Sequence, residues 1–217
     1  MDLNLNYNFL NSISDDTTMN TKDDLQRLHD AAPASKWMER LEPLLNLLNA
    51  LGVAETLSLA IGCVEIYLPK FEQAHQEEKW AEKYMGLIKA AAASGELVEL
   101  RANIIPLDHD NRRSKNLAFT IAELRYAVLN IHEPTKTIGS AAEVISRVFM
   151  FEIGDQMNII SPRVWGPSTT DPVEIQKFMN EGVMAGIRLR NHPAVAEIEI
   201  GLWLKLADEI QQRLEAG

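Results

Sequence analysis

Residues 55–72 read ETLSLAIGCVEIYLPKFE, and the spacing of their apolar side chains decides the fold class. Leu57, Ala60, Ile61, Val64, Leu68 and Phe71 recur three and four positions apart, so a helix sets them along one side. Leu59, Cys63, Ile66 and Tyr67 widen that side into a stripe that more than one neighbouring helix is needed to cover. A helix of this kind sits at the centre of a helical core. The expected fold is therefore all-α, a single multi-helix domain of seven to nine helices, with no strand assigned.

Upstream, Thr21 and Asp24 open a short helix with Leu25 and Leu28 on its apolar edge, closed by Ala31, Ala32 and Pro33. Ser35 caps a second helix through Trp37, Leu41, Leu44, Leu45, Leu48 and Leu51. Pro43 either kinks it or restarts it, and Gly52 ends it. Residues 1–22 are rich in Asn, Asp, Ser and Thr and are expected to form a flexible acidic tail ahead of an all-helical domain over residues 23–217. The near alternation of Leu3, Leu5, Tyr7 and Phe9 leaves open a short strand or a segment that docks on a partner.

Downstream, Pro69 is expected to bend or end the central helix near Leu68. A helical pattern then runs through Trp80, Tyr84, Leu87, Ile88 and Ala91 to a stop at Ser94 and Gly95, and residues 96–104 read as a short helix. After the turn PLDHDN, a helix runs from Arg112 through Leu129. Ser140 and Glu143 then make a capping box for the next one, through Ile145 and Phe149. Residues 158–172, NIISPRVWGPSTTDP, read as the longest loop inside the folded part. Asp171 and Pro172 start a further helix carrying Gly182 and Gly186, a close-packing feature. Pro193 opens the last, with Val195, Ile198, Leu202, Leu206, Ile210 and Leu214 on one face and Glu197 and Glu199 in its dipole-favoured start.

The formal charge of −10 at pH 7 argues against a surface that tracks nucleic-acid phosphates, and the basic cluster Arg112, Arg113 and Lys115 follows Asp108 and Asp110 as a solvated loop would. The same acidity favours a basic partner. A single cysteine, Cys63, lies within the apolar stripe, so no intrachain disulfide forms and a buried thiol in a reducing compartment is expected. The N-terminus has no basic leader, and no uninterrupted apolar run approaches membrane-spanning length. The chain reads as cytoplasmic, with no membrane partner.

Catalytic and cofactor motifs are mostly missing: there is no GxSxG, HExxH, GxxxxGK or GxGxxG, and one cysteine excludes a thiolate zinc cluster. Glu72 and His75 form an ExxH pair, half of a di-iron carboxylate site, but no second ExxH exists. The pair reads as a solvated Glu and His, and no metal or cofactor is assigned. Asp108, His109 and Asp110 are too crowded in one turn to converge on an ion without further ligands. Glu65 is expected at the edge of the stripe, and the apolar neighbours of Cys63 oppose a nucleophilic role. Trp37, Trp80 and Trp203 fall on helical patterns and read as core residues. Trp165, in the proline-rich loop, either pins that loop or stands out as an interface anchor.

The run Leu57, Leu59, Ala60, Cys63, Glu65, Leu68, Pro69, Phe71 and Glu72, followed by a charged helix and the Ser94, Gly95, Glu96 turn, resembles a helical immunity-protein family of bacterial polymorphic toxin systems. The resemblance spans about residues 55–150 and is most specific over 57–72. It implies a non-enzymatic protein that binds and neutralises a cognate toxin, and it carries no contact residues over to this chain. The expected partner is another protein, a basic toxin, occluded by an acidic face. That face is placed on Glu77, Glu78 and Glu82, or on the segment bearing Asp15, Asp16, Asp23 and Asp24. Two other readings compete: a helical scaffold or regulator that docks through Trp165 and its loop, and a metal-dependent helical enzyme built on Glu72 and His75.

Overall fold

The computed structural model describes residues 21–31, 37–74, 79–109, 112–160 and 171–216. All regular structure among them is helical. The helices are α1 (Thr21–Ala31), α2 (Trp37–Ala74), α3 (Trp80–Ser94), α4 (Val98–Ala102), α5 (Arg112–Leu129), α6 (Pro134–Ile160), α7 (Pro172–Arg190) and α8 (Pro193–Ala216). The expected tail, residues 1–22, lies outside the described residues up to position 20. Thr21 and Lys22 already belong to α1.

The stripe at 55–72 is the second half of α2, and it is the hub. Its most extensive packing is against α6, and α1, α3, α5 and α8 also lie on α2. Leu57, Ala60, Val64, Tyr67, Leu68 and Phe71 are buried, and they join Leu44, Leu45, Leu48, Ile88, Ile121, Leu124, Ala141, Ile145, Trp203 and Ile210 in one continuous core. Two contacts fix an antiparallel register between α2 and α6: Tyr67 meets Asp155, and Lys70 meets Glu152. By length and composition α2 could cross a bilayer. The expectation from uninterrupted apolar runs passes over it; here its apolar side chains supply the core, and its middle is broken at Gly52.

That break is the stop expected at Gly52, which has φ 78° and ψ 172°, a conformation that side chains with a Cβ scarcely adopt. Thr56 bridges it from the far side: its buried hydroxyl donates to the Leu48 carbonyl at 2.8 Å. Pro43 and Pro69 do not interrupt α2, whose only non-helical residue is Gly52. At Pro69 this corrects the expected end near Leu68, since the helix continues to Ala74. A helix-interior proline costs about 3 kcal/mol; burial of Tyr67, Leu68 and Phe71 on both sides of it offsets that cost.

Gly95 ends α3 as expected, at φ 75°, with its N–H on the Ala91 carbonyl at 2.9 Å. The short helix expected at 96–104 contracts to α4. The capping box at Ser140 is wrong: α6 begins at Pro134, six residues earlier, and Ser140 is buried within it. Proline in the first turn and the Thr137 hydroxyl, which donates to the Asn130 carbonyl at 2.7 Å, set the start. Glu143 instead accepts from Arg147 at 2.9 Å. The expected loop at 158–172 begins later, because α6 runs to Ile160; residues 161–170, Trp165 among them, lie outside the described residues. Asp171 caps α7 as expected, its carboxylate accepting from the Val173 N–H at 2.8 Å.

The last helix is rotated from its expected face. Val195, Leu206 and Ile210 are buried as read, but Ile198, Leu202 and Leu214 are only half-buried, while Trp203 and Glu199 point inward. Glu199 is 5% exposed and Arg40, on α2, is 2% exposed. Trp203 shares one face with Val195 and Ile210, and burying that large ring carries Glu199, one turn earlier, into the core.

Candidate protein-binding surface

The charged side chains that reach the interior hold helices together. The Glu199 carboxylate accepts from Arg40 at 2.5 Å and from Arg190, at the end of α7, at 3.2 Å. Arg40 also donates to the Ala31 carbonyl at 3.0 Å and stacks over the Trp203 ring at 5.1 Å. This cluster ties α1, α2, α7 and α8 at one point. At the far end of α2, Arg113 pairs with Asp155, which also accepts from the Tyr67 hydroxyl at 3.4 Å, and Lys70 pairs with Glu152 at 2.6 Å. Burial, reinforced by the Asp155 carboxylate, pushes the Tyr67 hydroxyl well above the usual phenol range. It stays protonated and serves as a donor.

The residues singled out for chemistry follow the same pattern. Burial pushes the Cys63 thiol up to about 12, which suppresses the thiolate a nucleophile requires. Glu65 is exposed at the edge of the stripe, as expected, and pairs with Lys89 of α3. His75 lies outside the described residues, and Glu72 is half-buried with Oε1 unpaired among those described. No group of three His, Cys, Asp or Glu side chains is placed to hold an ion among the described residues. Asp110 lies outside them as well; His109 stacks on Trp80 at 4.6 Å and donates from Nε2 to the Pro106 carbonyl at 2.9 Å, which fixes a turn. Glu82 is exposed in the first turn of α3. Glu77 and Glu78, just ahead of it, and Trp165 lie outside the described residues.

What sequence reasoning missed is the connector from Gly95 to His109. It is fastened to the bundle along its whole length. The Ser94 hydroxyl accepts from the Glu96 N–H at 3.1 Å, and Arg125 of α5 donates to the carbonyls of Leu100 and Arg101 at 3.0 and 3.1 Å. The Tyr84 hydroxyl donates to the Ile104 carbonyl at 3.0 Å, Leu100 and Ile105 are buried, and the His109 ring lies on Trp80. Yet this pinned segment turns large apolar side chains outward: Val98 is 79% exposed and Ile104 76%, with Leu107 partly exposed beside them.

The charges alongside are mainly acidic. Elsewhere on the surface Glu42, Glu55, Glu65, Glu133, Glu143, Glu152 and Glu209 sit in ion pairs, while Glu82, Glu174, Glu181 and Glu197 have none among the described residues. Glu96, Glu99 and Asp108 on the connector are exposed, and none has an ion-pair partner among the described residues. A signal for this surface existed in the sequence. Leu97 and Val98, then Ile104 and Ile105, are adjacent apolar pairs, and neighbouring positions on so short an element cannot both face the core. No protein-family model, curated protein or solved structure matches the chain.

Proposed function

We propose that this chain is a non-enzymatic, cytoplasmic protein-binding module that covers a basic partner stoichiometrically, with neutralisation of a cognate toxin as the specific form. The observation that carries this reading is the connector's surface, which joins exposed apolar side chains to exposed carboxylates on a fixed backbone. Val98, Ile104 and Leu107 stand exposed on a pinned element, and Glu96, Glu99 and Asp108 beside them have no ion-pair partner among the described residues, so both the apolar and the acidic groups there are available to a partner. The resemblance over residues 55–150 and the formal charge of −10 support the same direction. Attraction between an acidic face and a basic one raises the association rate and weakens with salt.

The test is co-purification of the tagged chain from its native cells at low and at high salt, with mass spectrometry of what remains bound. The reading predicts one basic protein in near-equal amount, reduced at high salt. A salt-resistant complex with an acidic or apolar partner, or the tagged chain alone, overturns it.

A further inference from the structure

We propose that Val98, Ile104 and Leu107, with Glu96, Glu99 and Asp108 beside them, form a docking strip for a basic protein segment whose Lys or Arg side chains are interleaved with apolar ones. The inference rests on the protein-binding reading above and adds the surface and the chemistry of what it takes.

Three observations converge on this strip. First, large apolar side chains gathered on one surface element mark interaction sites, unlike singly scattered ones, and here they share one short connector. Second, the connector is held in place by Arg125, Tyr84, Trp80 and the buried anchors Leu100 and Ile105. A partner therefore meets a backbone that is already fixed, and association loses less conformational entropy than docking on a loose loop would. Third, the strip carries three exposed carboxylates against the two guanidiniums of Arg101 and Arg125, the latter engaged by the Leu100 and Arg101 carbonyls. That balance selects the occupant. A second copy of this chain docking through the same strip would bring like charges together, and an anionic lipid surface would be repelled. A basic, apolar-studded segment satisfies both the charge and the exposed side chains.

The test uses phage-displayed random peptides selected on the immobilised full chain, with two counter-variants, V98S/I104S and E96K/E99K/D108K. All five substituted residues are exposed, so both variants should keep the wild-type melting temperature. Expected are enriched peptides that mix Lys or Arg with Leu, Ile, Phe or Trp, binding each variant about tenfold or more weakly than the wild type. Equal binding to wild type and variants removes the strip while leaving the protein-binding reading intact, since co-purification tests that separately. Enrichment of acidic or purely polar peptides, or no enrichment above an uncoated surface, overturns the proposal. So does a concentration-dependent dimer in sedimentation that V98S/I104S abolishes, because the occupant would then be a second copy.

Discussion

The Arg40, Glu199 and Arg190 cluster and the Gly95–His109 connector handle charge and apolar surface in opposite ways. In the cluster, ionised groups are taken out of water and tied to one another, and the indole of Trp203 covers them. On the connector, carboxylates stay in water without ionic partners among the described residues, and Val98, Ile104 and Leu107 stay out of the core. Taking charges out of water and leaving large apolar side chains in it both cost free energy. The first cost is offset inside the chain, by geometry that joins four helices. The second finds no such offset among the described residues, and this is the physical ground for looking there for a partner.

Breaking the cluster should have the largest effect. Glu199→Ala leaves two guanidinium groups facing each other, one of them buried, and should destabilise the fold by about 3–5 kcal/mol in denaturant unfolding. A loss below 1 kcal/mol would mean that the cluster does not hold the helices as described. The bend in α2 comes next. Gly52→Ala forces a Cβ into a positive-φ conformation and should cost about 1–3 kcal/mol. Thr56→Val removes the donor to the Leu48 carbonyl and should cost a similar amount, about 1–3 kcal/mol, if that carbonyl stays buried. A neutral Thr56→Val would show that water replaces the hydroxyl there.

On the connector the ranking reverses for binding and stability. V98S/I104S should change unfolding free energy by no more than about 0.5 kcal/mol, because neither side chain contributes to the core. At neutral pH the smallest effect belongs to Cys63. Its folded pKa lies above the ordinary 9.0, so between 9.0 and about 12 the native state holds a proton that the unfolded state has released. Stability from this group is complete below pH 9 and falls as pH rises through that window; Cys63→Ser should flatten that alkaline slope. Alkylation of native Cys63 should likewise stay slow from pH 7 to pH 9 and become fast only on unfolding.

The fold was legible where apolar periodicity and backbone chemistry agree. The stripe at 55–72, the stops at Gly52 and Gly95 and the cap at Asp171 all follow from local rules. Local rules misled where tertiary packing overrode them. Ser140 and Glu143 have capping-box spacing but lie inside a helix that Pro134 had already started, and Pro69 sits inside a helix held by burial on both sides. Glu199 was unreadable for a related reason: its partner Arg40 is 159 positions away, and no periodicity within either helix encodes that meeting. The connector was half legible, in its adjacent apolar pairs. Which member of each pair points outward depends on Arg125 and Tyr84, which belong to other helices.

The most direct measurement is calorimetric titration of the co-purified basic protein into the wild type and into E96K/E99K/D108K over a series of salt concentrations. The account predicts wild-type affinity that falls steeply with salt, and for the variant both a weaker affinity and a shallower or reversed salt dependence. Identical affinity and identical salt dependence for the two proteins would contradict it.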